Sequence, residues 1–341
     1  MGDTMAHNAI SGIVARMVTP FAADFGVDAD MMRMLVNRMI NAGVDAIMPL
    51  GDSGESEYLG RTEWRQATAI CLEHINGRVP CIVDVSDVTT AGAVERARFA
   101  ERLNATAIMV KPVSCWRLSA NELRLHFATI AEFVGLPMMI GNDPAATGAD
   151  MPPEFLADLA ADIPTVTMVE ESSGLIGRIG RIGELSGGAV SVFNGSDLHV
   201  LHAATAGAAG WTTAAVGLLP EQIVRVWQLM NAGHVLAAAE LFDDLAPLLA
   251  VIDEKGAPAT VKSGLRVFGL DVGDPRLPQL PLDRDTSIEL AELIGNAQTS
   301  PPRPPHDHAM THHARHRFGI RACECSTGGF CNDGPVLDGH D

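Results

Sequence analysis

Two side chains in this sequence are placed to do covalent and proton-transfer chemistry, Lys111 and Glu170. Each closes a short apolar run, at 105–111 and 164–170. An amine in a low-dielectric pocket loses basicity and can attack a carbonyl, and a partly buried carboxylate gains basicity and can act as a proton-transfer base. The chain has only three lysines, Lys111, Lys255 and Lys262, and only Lys111 falls at the end of such a run. Its alternative is structural: an amine paired with a nearby carboxylate such as Glu170, or turned to solvent. Further polar groups fall at the ends of comparable runs, among them Thr19, Asp52, Ser53, Glu55, Asp84, Asn142, Asp143, Ser172 and Asp197. A mouth so rich in carboxylates and poor in cations suits general acid–base work or a hard divalent cation, with a merely solvated acidic rim as the alternative.

These residues need a scaffold that gathers run ends at one place. Runs rich in Val, Ile, Met and Ala recur near 12–18, 44–50, 79–85, 105–111, 136–141, 164–170, 189–194 and 209–214. They are nearly continuously apolar, as parallel strands covered on both faces are. Helical patterns intervene at 28–41, 61–74, 91–103, 120–133 and 153–161. Eight such units predict an α/β fold, a closed (β/α)8 TIM barrel, whose chemistry sits where the strands end. The barrel is expected over 8–225 and C-terminal helices over 226–296, with patterns at 232–249 and 259–268. From 297 to 341 the composition turns to a Pro-, His- and Cys-rich tail, expected to be disordered. Its His306, His308, His312, His313, His316, Cys323, Cys325 and Cys331 match no compact metal site, so adventitious chelation is expected there and no metal ligands are assigned.

A formal net charge of −18 argues against electrostatic binding to nucleic acid or to an anionic membrane surface. No run reaches the roughly 20 apolar residues that span a bilayer. The N-terminus, as given, has no basic stretch followed by an apolar one, so no secretory signal is expected. Cys71, Cys81 and Cys115 are scattered, which suits reduced thiols in the cytoplasm.

Five ordered segments carry a family resemblance: Gly12–Phe21, Gly51-Asp-Ser-Gly-Glu-Ser56, Gly141-Asn-Asp-Pro-Ala-Ala-Thr-Gly148, Thr165–Gly174, and Phe193–Asp197 followed by Gly207–Thr213. Together they resemble the dihydrodipicolinate synthase / N-acetylneuraminate lyase family, over roughly residues 10 to 290. The resemblance implies a lyase or aldolase acting on a pyruvate-like 2-oxo acid, with no added cofactor, in a homo-oligomer that is often a tetramer. It also implies a site at Glu170 with Ser53, Asp52, Gly141, Asn142 and Thr213 around the substrate. The departures are consistent. Glu170 stands where the family has its imine-forming lysine, and a carboxylate cannot form an imine. The relay tyrosines read Val113, Ser114 and Gly141, and the chain's one tyrosine is Tyr58. The arginine that binds a distal carboxylate reads Ala146, and Asp52 replaces a threonine in the carboxylate loop.

Three readings follow. The first is a family lyase with altered chemistry, Glu170 as base and Lys111 as the imine residue. Glu170 ranks ahead because a facing carboxylate, with Asn142 beside it, would keep Lys111 protonated and unreactive. The second is a metal-assisted enzyme using Asp84, Asp143 or Glu170, and the third a non-catalytic barrel that binds a small molecule.

Overall fold

The apolar runs form eight strands in the computed structural model, which describes residues 10–299. They are β1 (Gly12–Met17), β2 (Ala46–Pro49), β3 (Ile82–Asp84), β4 (Ala107–Val110), β5 (Met138–Asn142), β6 (Val166–Glu171), β7 (Ser191–Asn194) and β8 (Gly210–Thr213). All ladders are parallel, in the order β2-β1-β8-β7-β6-β5-β4-β3. A parallel bridge between Ile47 and Cys81 joins the two ends and closes the barrel.

Between and around the strands run α1 (Ala29–Asn41), α2 (Arg61–Ile75), α3 (Thr90–Arg102), α4 (Ala120–Phe133), α5 (Pro144–Thr147), α6 (Pro153–Asp162), α7 (Gly177–Leu185), α8 (Val200–Thr205) and α9 (Pro220–Asn231). Their starts are written locally. The Asp28 carboxylate accepts the N–H groups of Asp30 and Met31, and Ser119 with Glu122 forms a reciprocal capping box. Appended after the barrel are α10 (Val235–Lys255), α11 (Ala257–Val267) and α12 (Arg284–Thr299). The expected limit at 225 falls inside α9, which closes the last βα unit and ends at Asn231. Beyond Thr299 the expected tail lies outside the described residues, as do the first residues of the chain. No described helix is long and apolar enough to cross a membrane.

Alternation along the strands decides what each side chain meets. Val14, Ala46, Met48, Ile82, Ala107, Met109, Met139, Met168 and Phe193 pack together inside the barrel, while their neighbours join the larger cluster under the helices. Four methionines in this small layer fill it with unbranched, adaptable chains. Burying each such side chain stabilises by on the order of 1.5–3 kcal/mol. Two residues further on, at the C-terminal mouth, the same face carries Arg16, Asp84, Lys111, Gly141 and Glu170. The polar layer of the site therefore rests on an apolar plug.

Candidate active site

Glu170 is buried at the end of β6 and accepts a hydrogen bond from Thr212 Oγ1 on β8, whose hydroxyl also lies 3.3 Å from the Asn194 carbonyl. Lys111 follows β4, and its backbone N–H donates to Ser86 Oγ at 2.8 Å. Its amine contacts Asp52 Oδ1 and lies 3.9 Å from Asp84 Oδ2. The expected direct pairing of Lys111 with Glu170 is therefore replaced by an ion pair with Asp52.

Gly141 explains how the lysine reaches the lumen. Gly141 is in register with Glu170, and a Cβ on it would collide with Lys111 Cγ and come within 3.1 Å of Lys111 Cδ. The lysine stem thus crosses the space that a β5 side chain would fill, between β4 and β6.

Electrostatics here differ from the expectation. Burial brings the Lys111 amine down to about 8, against the upward pull of the Glu170 carboxylate and with the help of the Arg16 charge. Asp52 adds an upward pull through contact, but its side chain is 41% exposed, so water screens its share. At Lys111 burial outweighs the pull of the facing carboxylate. Burial raises the Asp84 carboxyl to about 7, helped by the Glu57 charge and opposed by hydrogen bonds from Ser86. Its Oδ1 accepts the Ser86 N–H at 2.9 Å, while its Oδ2 is buried without a hydrogen-bond partner.

Above these groups opens a cavity of about 620 Å3, lined by Arg16, Asp52, Ser53, Asp143, Ser172 and Asp197 and by the α10–α11 junction from Ile252 to Ala259. Asp52 both lines the cavity and touches Lys111, so it stands between amine and cavity. The Ser53 hydroxyl has no hydrogen-bond partner among the described residues and is free to donate. Two other expected substrate contacts are engaged within the protein. Asn142 and Thr213 lie one residue off the lumen-facing positions Gly141 and Thr212. Asn142 donates to Glu171 Oε2 at 2.9 Å and accepts the Met151 N–H at 3.0 Å. Thr213 Oγ1 accepts the Ala215 N–H at 3.0 Å. Strand parity turns both into structural anchors.

The loop after β2 is braced from outside. Thr19 Oγ1 donates to the Gly54 carbonyl at 2.6 Å. Glu55 takes the left-handed φ of 58°, costly for a residue with a Cβ, and is fixed by Lys262 Nζ at 2.5 Å and the Arg276 N–H at 2.6 Å. Lys262 is fully buried and lies 4.0 Å from the Phe21 ring centroid, so it is spent on structure.

The sequence reading missed Arg16, a guanidinium inside the mouth, and Thr212, the partner of Glu170. Arg16 was legible as a charge two residues after Val14 within an apolar strand. Among the described residues no group of three or more His, Cys, Asp or Glu side chains is arranged to hold a metal ion.

Comparison with known proteins places this site in context. A model of the dihydrodipicolinate synthetase family matches residues 9–297. The 4-hydroxy-tetrahydrodipicolinate synthase of Bacillus subtilis is 30% identical over 278 residues, covering 82% of this chain and 96% of its own. A Pseudomonas aeruginosa structure provisionally named a dihydrodipicolinate synthetase superposes with a TM-score of 0.83 at 40% identity, covering 85% of this chain and all of its own. The chloride-inhibited dihydrodipicolinate synthase of Acinetobacter baumannii, solved with pyruvate, gives 0.80 at 27% identity, covering 84% of this chain and 98% of its own. With a family match across nearly the whole barrel and its appended helices, this chain belongs to the dihydrodipicolinate synthetase family.

Proposed function

We propose that this protein is an aldolase-type lyase that takes a pyruvate-like 2-oxo acid through an imine on Lys111, with Glu170 as the proton-transfer base. The observation that carries this reading is the packing of Lys111 through the space left by Gly141, which brings a buried amine of lowered basicity into the mouth beside Glu170. In this scheme the neutral amine adds to the keto carbon and the carbinolamine loses water to give an iminium. Asp84 Oδ2, unpartnered at 3.9 Å from the amine, takes the proton that the amine sheds. Glu170, oriented by Thr212, removes a proton from the methyl carbon to give the enamine, which attacks the second carbonyl compound. Hydrolysis then frees product and lysine. Asp52 must swing aside for the substrate to reach the amine, and its exposure leaves it free to do so.

Ordinary condensation of pyruvate with aspartate semialdehyde is expected to be very weak, since the relay tyrosine positions hold Val113, Ser114 and Gly141 and Ala146 stands at the arginine position. The test is borohydride reduction with pyruvate in wild type, Lys111→Ala and Glu170→Gln. Wild type and Glu170→Gln should trap pyruvate, Lys111→Ala should not, and Glu170→Gln should lose turnover. Loss of trapping on Glu170→Gln alone would reject the division of roles, and no trapping in any form would favour the non-catalytic reading.

Two wider features belong to the same proposal. Cys71, Cys81 and Cys115 are free, which supports a reducing, cytoplasmic location. Val88 and Leu125 are large apolar side chains left exposed at one hollow beside α4, and Trp116 is exposed on the segment before that helix, which supports a homo-oligomer. Light scattering on the purified protein checks the assembly, and a monomer would reject it.

A further inference from the structure

We infer that Arg16 is the receptor for the substrate carboxylate, with Ser53 as its hydroxyl partner. This rests on the 2-oxo acid reading above and names how that acid is gripped. Arg16 projects from the lumen face of β1 into the cavity floor, its side chain only 16% exposed. Its Nε is buried without a hydrogen-bond partner, and among the described residues nothing accepts a hydrogen bond from the guanidinium. The nearest carboxylate, Asp52, lies 3.9 Å away, beyond hydrogen-bond reach, and is engaged by Lys111.

A guanidinium whose Nε is withdrawn from water without a partner is costly unless something completes it. Its planar fork fits a carboxylate through two parallel hydrogen bonds. The rest of the floor fits the same ligand. The Ser53 hydroxyl is unused and lines the same cavity. Asp197, the other acid near Arg16, is tied at 2.8 Å to the Trp211 indole and does not reach the guanidinium by hydrogen bond. A carboxylate on Arg16 lies next to the Lys111 amine, since both groups neighbour Asp52. The Arg16 charge also offsets the local negative charge of Asp52, which would otherwise repel an acidic substrate.

The experiment measures binding of pyruvate, lactate and methyl pyruvate by calorimetry to wild type, Arg16→Gln and Arg16→Lys. Pyruvate carries both keto group and carboxylate, lactate only the carboxylate, and the ester only the keto group. Wild type should favour pyruvate and lactate over the ester. Arg16→Gln should weaken both acids by about 10- to 100-fold, the span of a charge-assisted hydrogen-bond pair, and leave the ester unchanged. Arg16→Lys should fall between. Thermal unfolding of each variant separates lost binding from lost folding. Unchanged acid affinity in both folded variants would overturn the inference, as would wild type that binds neither acid at millimolar concentration. A shift only in the pH dependence of trapping would also overturn it, since Arg16 would then act solely on Lys111. If lactate binds through Arg16 as well as pyruvate does, and no imine forms, the Arg16 receptor stands and the 2-oxo acid reading fails.

Discussion

At the scale of single residues, the site turns on one exchange: a carboxylate at the end of β6 and an amine after β4, two strands away, over a glycine on β5. Gly141 is the residue that permits it, and Gly141→Ala is expected to push Lys111 off its path. Because Lys111 Cγ must move and Met109 Sδ sits 3.2 Å away, the change should cost about 1–3 kcal/mol of stability and most pyruvate trapping. Denaturant titration and borohydride trapping together check it; full trapping with unchanged stability would place Lys111 elsewhere. The pH dependence follows from the lysine. Only the neutral amine attacks, so trapping should rise roughly tenfold per unit below the lysine's pKa of about 8 and level off above it. A rate flat between pH 6 and 9 would mean that the reacting group is not this amine. Asp84→Asn should slow trapping by about 100-fold at neutral pH, the lower range of general-base contributions.

At the scale of elements, the loop after β2 is held by α11 and by the segment that follows it. Lys262 on α11 and Glu55 form a fully buried ion pair, and the segment after α11 adds the Arg276 N–H to Glu55 and the Arg276 guanidinium to Glu63. Removing one partner strands the other charge in the interior. Lys262→Ala is thus expected to destabilise by about 3–5 kcal/mol, and pairing it with Glu55→Gln should recover part of that. Thermal melts of the two variants measure the recovery, and additive losses would argue against the pair. Strands and helices were legible in sequence because each strand is a short apolar run and each helix has a periodic face. Which residues share a face was not. A register or parity shift of one residue moves every side chain to the other side, and Asn142 and Thr213 lie one step off the lumen-facing positions Gly141 and Thr212. The same parity put Arg16 in the mouth, where a lone charge in an apolar strand was the available signal.

At the scale of the whole molecule, the barrel, its closure and the appended helices were all readable from the alternation that stops after β8. The chemistry was readable only in part. Lys111, Glu170, Asp52 and Asp84 were visible as polar strand ends, but their pairing depends on which side chain the lumen has room for, and a sequence does not display that space. Because an imine on Lys111 needs no cation, chelation is expected to leave pyruvate trapping unchanged. Dialysis against EDTA before the assay checks this, and loss restored by a divalent ion would revive the metal-assisted reading.

The most direct test of the central claim is to identify the lysine that carries reduced pyruvate. The protein is incubated with pyruvate and borohydride, digested, and mapped by tandem mass spectrometry across Lys111, Lys255 and Lys262. A single modified peptide is predicted, bearing the adduct at Lys111. An adduct at Lys255 or Lys262 with Lys111 unmodified would contradict it, as would intact protein with no adduct at all.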